Sequence, residues 1–123
     1  MTAETLAIVG RVIFGGFFVI AGLRNFLHFG ERRANAGTNY GWSLPAPLLA
    51  IGFILQLAGG LLLIANLWVV SGALILIGFL LAATPLYHNP FMFDGKERAP
   101  HLYLTLVNIT LCGGLLMVIA DAL

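Results

Sequence analysis

Residues 44–87 read LPAPLLAIGFILQLAGGLLLIANLWVVSGALILIGFLLAATPLY, a stretch without one charged side chain. Only Gln56, Asn66, Ser71 and Thr84 interrupt its apolar character. A single helix of that length would run roughly 65 Å, about twice the hydrocarbon thickness of a bilayer. The stretch must therefore fold back once. Ala65-Asn66-Leu67 is the place, because Asn tolerates the backbone of a tight turn and Trp68 beside it suits the membrane interface. The reading is a transmembrane helical hairpin, with one further helix before it and one after.

The rest of the composition agrees. The chain has 123 residues, 60% of them hydrophobic and 9% charged, and a mean hydropathy of +1.00. Soluble domains carry about 25% charge, so this is an integral membrane protein. The expected fold class is all-α, a four-transmembrane-helix bundle. Residues 1–123 form one domain in this reading, with spans at about 5–27, 44–65, 68–87 and 101–120. A formal net charge of +1 gives no reason to expect nucleic acid as a partner. The single cysteine, Cys112, excludes an intrachain disulfide and leaves the redox compartment open. The N-terminal apolar run has no basic region before it and continues past Arg11 to about Leu27, so it reads as a retained span.

In span 1, Thr2 or Thr5 suits the N-cap and Glu4 the first turn. Arg11, Gly15, Phe18, Gly22 and Asn25 fall on one stripe, and its glycines mark a face packed against another helix. The longest polar segment is His28 to Ser43. Its second half is unsuited to regular structure, and its Tyr40 and Trp42 are expected at headgroup level. Pro45 and Pro47 suit the first turn of span 2, and Pro85 is expected to kink or end span 3. Asp94-Gly95 is a turn signal, and Pro100 opens span 4.

Leu57-Ala58-Gly59-Gly60-Leu61-Leu62-Leu63 resembles Leu111-Cys112-Gly113-Gly114-Leu115-Leu116-Met117. Two repeated helical hairpins would explain the match, and so would chance in a Leu-rich chain. Arg24, Arg32, Arg33, Lys96 and Arg98 all fall on the face of the two long loops. The positive-inside bias places that face in the cytoplasm and both termini outside.

Together these residues resemble a family. The chain has an arginine early in span 1 followed by Gly15, Phe18 and Ala21-Gly22. A proline-opened span 2 carries Gln56 ahead of Gly59-Gly60-Leu61-Leu62-Leu63. His88-Asn89-Pro90-Phe91 follows span 3, and Asn108 precedes Gly113-Gly114 in span 4. The pattern is similar to the DoxX family of small bacterial membrane proteins, related to DoxD, over nearly the whole chain. The resemblance implies a four-helix bundle in the bacterial inner membrane. It also implies a link to redox enzymes, some members being parts of thiosulfate:quinone oxidoreductases. Family members commonly carry a glutamate where this chain has Gln56, and an amide does not titrate.

Arg11 and Gln56 are the first candidate site, since a charge within a membrane span is a functional candidate by default. One reading is a polar pocket for a quinone carbonyl or a lipid phosphate. In the other, Arg11 snorkels to headgroups and Gln56 bonds across helices. His28, His88 and His101 each lie at a helix end on the loop face, but without a His-x-x-x-His spacing. Quinone headgroup contact by His88 or a plain interfacial role is expected, and no metal site. Asn108 and Cys112 share one face of span 4. Asn108 is read as a helix–helix or pocket residue, and Cys112 as an inert thiol among aliphatic side chains. Glu31 to Arg33 and Asp94 to Arg98 read as solvated loops or partner-docking charges.

No catalytic residue, covalently bound cofactor, haem ligand set, cysteine cluster or nucleotide loop is expected. Quinone or lipid are the expected small-molecule partners. The bilayer, and other membrane subunits or a second copy of the chain, are the expected larger ones. The functional expectation is an accessory subunit of a membrane electron-transfer complex. The alternative is a quinone-reducing membrane subunit like that of a thiosulfate:quinone oxidoreductase.

Overall fold

A computed structural model describes residues 1–36 and 44–123. Five helices make up the described fold: α1 (Ala3–Leu27), α2 (Phe29–Asn35), α3 (Ala46–Ala65), α4 (Val69–His88) and α5 (Arg98–Ala122). Two 3₁₀ turns, Pro90–Met92 and Gly95–Glu97, join α4 to α5. Helices α1, α3, α4 and α5 are each long and apolar enough to cross a bilayer. Their outward faces are apolar as well. Ile13, Ile20, Leu81 and Met117 are each more than half exposed. Such faces are stable only against lipid or another apolar surface, so the chain is a multi-pass membrane protein.

Local chemistry sets the helix ends. Thr2 caps α1, its Oγ1 accepting from the Thr5 N–H at 3.1 Å. Pro45 is the N-cap of α3, with Pro47 in the first turn. Asn66 closes α3 in the left-handed conformation, φ 57°. The Leu67 N–H reaches the Leu62 carbonyl at 3.1 Å and the Asn66 N–H the Leu63 carbonyl at 3.3 Å. This is a Schellman ending, which satisfies the last carbonyls of α3 and reverses the chain. Trp68 follows, also at positive φ and 81% exposed. The hairpin thus turns where the sequence places it.

Two details differ from expectation, and one alternative is decided. α2 is a regular helix within a segment read as loop. Pro85 does not end α4, which runs on to His88. α5 begins at Arg98, with Pro100 inside its first turn, where no N–H is needed for the helix ladder. The headgroup placement expected for Tyr40 and Trp42 lies outside the described residues.

Gly59 and Gly60 serve different neighbours. A Cβ on Gly60 would lie 2.7 Å from the Gly15 carbonyl of α1, and one on Gly59 3.0 Å from the Gly72 carbonyl of α4. α3 is therefore flanked by α1 and α4, both at backbone distance. The matching pair in α5 is not equivalent. Gly114 faces the Phe14 ring, whereas nothing lies within 4 Å of a Cβ on Gly113. Between α1 and α5 the space is filled by side chains, with Phe18 and Leu115 buried in one cluster with Leu63, Ala73, Leu76 and Leu80. A second cluster, Leu49 and Phe53 with Ala36 and Leu44, closes the end where α2 lies.

A candidate head-group cavity at the α2 end of the bundle

Between the two clusters lies a cavity of about 660 Å³. Its walls come from α1 (Phe17, Ala21, Asn25), α2 (Arg32, Asn35), α3 (Phe53, Gln56), α4 (Phe79, Tyr87, His88) and α5 (His101, Asn108). Phe93, in the α4–α5 connection, also lines it. No carboxylate is among the described lining residues. The chamber joins aromatic walls to neutral or cationic polar groups.

Three side chains form a hydrogen-bonded ladder on one wall. Arg32 Nε donates to Asn25 Oδ1 at 3.0 Å, and Asn25 Nδ2 donates to Gln56 Oε1 at 2.9 Å. Gln56 is only 3% exposed, so a partner is what makes its burial tolerable. α2 is fixed over the cavity by two further bonds. The Tyr87 hydroxyl donates to the Arg32 carbonyl at 2.9 Å, and Arg33 Nε donates to the Leu44 carbonyl at 3.0 Å. Phe26, Phe29 and Phe53 pack edge-to-face and stacked beneath it.

The opposite wall holds a histidine pair. His88 Nδ1 and His101 Nδ1 are 3.0 Å apart, so one donates and the other accepts. Between them the two free Nε2 atoms then offer one N–H and one lone pair. The Phe93 ring stacks on His101 at 3.6 Å. The Thr105 hydroxyl lies 2.8 Å from both the His88 and His101 carbonyls and ties the end of α4 to α5. Deeper, Asn108 Nδ2 donates to Thr84 Oγ1 at 2.9 Å, and Thr84 donates to the Leu80 carbonyl.

A family model described as DoxX matches residues 6–89. The chain belongs to the DoxX family. Neither a curated protein nor a solved structure matches it. The DoxX match takes in Asn25, Arg32, Gln56, Tyr87 and His88, whereas His101 and Asn108 lie beyond it on α5.

Of the residues singled out from the sequence, Gln56, His88 and Asn108 line the cavity of this DoxX protein, and Arg11 does not. Arg11 Nε donates to the Leu63 carbonyl at 2.9 Å, near the C-terminal end of α3. A guanidinium suits that end because carbonyls and the negative end of the helix dipole point there. The close approach at Gly15 and Gly60 brings α1 within its reach. Gln56 instead bonds across helices to Asn25. His28 is exposed and outside the lining, so two of the three histidines converge. Cys112 lies in a second, mostly apolar groove of about 320 Å³ between α4 and α5.

Sequence reasoning missed Arg32 and Tyr87 as site residues, and Asn25 as more than a stripe position. Asn25 carried a usable signal, since it continues the Gly15–Gly22 stripe that packs on α3. Arg32 follows Asn25 by seven residues, but α1 ends and α2 begins between them at His28, so helical spacing alone does not join the pair.

Proposed function

We propose that this DoxX protein is an accessory subunit of a membrane electron-transfer complex and holds a quinone-type head group in the α2-end cavity. The observation that carries the reading is a chamber of about 660 Å³ combining phenylalanine walls with the Arg32–Asn25–Gln56 ladder and, among the described residues, no lining carboxylate. A quinone head is a flat ring with carbonyl oxygens, and aromatic faces plus hydrogen-bond donors are its complement. When bound, a quinone supplies redox chemistry, while the chain's residues orient its ring and shield it from water. The apolar outer faces support packing against larger membrane subunits or a second copy. The basic residues near α2 and the start of α5 favour a cytoplasmic position for the cavity end, with both termini outside. The bacterial inner membrane is the corresponding location.

A second reading, a quinone-reducing subunit, is favoured by the His88–His101 pair, which can hold and pass a proton at the cavity wall. Two assays on one set of variants separate the readings. Quinone occupancy is measured in nanodiscs, and complex assembly with quinone turnover in native membranes. For an accessory subunit, Gln56→Leu lowers occupancy while assembly persists, and Arg11→Leu lowers stability without changing the affinity of folded protein. Loss of turnover with unchanged assembly in Gln56→Leu, His88→Phe and His101→Phe alike would replace the accessory reading with the catalytic one.

A further inference from the structure

We infer that Arg32, acting through Asn25, fixes Gln56 as a hydrogen-bond donor in the cavity, so that the site selects ligands by an acceptor oxygen. This deepens the head-group reading and rests on it. The ladder has a direction because one member has no choice. A guanidinium has five donors and no acceptor. Its Nε therefore requires the oxygen of Asn25, at 3.0 Å. That leaves Asn25 Nδ2 to face α3, where it donates to Gln56 Oε1 at 2.9 Å. With its oxygen held by Asn25, the unengaged end of Gln56 is Nε2 with its two N–H groups.

Either amide, alone, could rotate by half a turn at little steric cost. Here, rotating Asn25 would set its NH₂ against Arg32 Nε and its oxygen against Gln56 Oε1. Rotating Gln56 would set NH₂ against NH₂. Gln56 is 3% exposed, so no bulk water repairs the mismatch. Polarity imposed at Arg32 is thus transmitted through two neutral side chains. Asn25 and Arg32 act on Gln56 as positioning residues. A quinone carbonyl or a lipid phosphate oxygen satisfies the end of the ladder, whereas a quinol hydroxyl meets it only with its weaker acceptor oxygen and must send its own proton to another acceptor.

The test reverses the ladder without removing it. In Asn25→Asp, one carboxylate oxygen accepts from Arg32 and the other from Gln56 Nε2, which turns Gln56 Oε1 toward the cavity. In Arg32→Gln the obligate donor is gone and both directions are allowed. Binding of decyl-benzoquinone, its quinol under anaerobic conditions, and dodecylphosphocholine is measured by equilibrium dialysis on the full chain in nanodiscs. Thermal melts establish that each variant is folded. The wild type is expected to prefer quinone over quinol by at least tenfold. Asn25→Asp should lower that ratio at least tenfold, about 1.4 kcal/mol, and Arg32→Gln should bring it toward one.

If quinone binds but the ratio is the same in all three folded proteins, the directional ladder is wrong and the quinone reading survives. If dodecylphosphocholine binds, weakens in Asn25→Asp, and neither quinone nor quinol binds, the ladder stands and the ligand is a phosphate-headed lipid. Binding of none of the three by the wild type overturns both.

Discussion

Gly15→Ala adds one methyl group where α1 and α3 meet, and the structure gives the size of the conflict. The new Cβ would lie 2.5 Å from the Gly60 carbonyl oxygen, 2.8 Å from Ile64 Cγ1 and 3.1 Å from Leu63 Cβ. Real Cβ contacts essentially never fall under 3.0 Å, so at least 0.5 Å of separation is needed at the first contact. That contact is backbone and cannot rotate away. Separation also draws Arg11 from the Leu63 carbonyl, a bond of 2.9 Å with a charged donor. Overpacking of this kind costs about 1–3 kcal/mol. The neighbouring residue is a built-in control, because nothing lies within 4 Å of a Cβ on Gly16. Gly16→Ala should be neutral, or stabilising by up to about 1 kcal/mol through helix propensity. Reversible unfolding by SDS in mixed micelles compares the two variants. Equal stability of Gly15→Ala and Gly16→Ala would refute the close α1–α3 approach and the place it gives Arg11.

Three further outcomes are expected. Arg11→Leu should lose about 1.5–3 kcal/mol in the same unfolding assay, the scale of a hydrogen bond to a charged group, and an unchanged midpoint would remove its role at the end of α3. Tyr87→Phe deletes the hydroxyl that donates to the Arg32 carbonyl, so hydrogen exchange of residues 29–35 should accelerate about fivefold, from a loss of ~1 kcal/mol; unchanged exchange would mean that α2 is held by its other contacts. In a Cys112→Ala background, Thr2→Cys should react with an impermeant maleimide from outside intact cells and Lys96→Cys only after permeabilisation, and the opposite pattern would invert the proposed orientation.

The membrane hairpin was legible because its signals are local. A charge-free stretch twice the bilayer thickness must turn, and Asn66 is the residue that accepts a left-handed turn. The Gly15–Gly22 stripe was legible for the same reason, since helical periodicity alone puts it on one face. The partner of Arg11 was not legible, because a backbone carbonyl carries no mark in the sequence. α2 was hidden by its charges. Glu31-Arg32-Arg33 has the same composition whether all three face solvent or one arginine turns inward to meet Asn25. The His88–His101 contact depends on how two 3₁₀ turns fold the intervening connection, which neither histidine reports. Of the two readings of Gln56, a pocket shared with Arg11 or a bond across helices, the bond is the cross-helix one to Asn25, and that partner was not legible because a stripe position on α1 does not say which residue of α3 it meets.

Photoaffinity labelling tests the head-group cavity most directly. An azido-benzoquinone is photolysed with the protein in nanodiscs, and the labelled peptides are mapped with and without excess unmodified quinone. Competable label should fall on residues lining the cavity, among them Phe53, Tyr87 and His101. Label confined to outward residues such as Ile13, Ile20 and Met117, and indifferent to competition, would contradict the account.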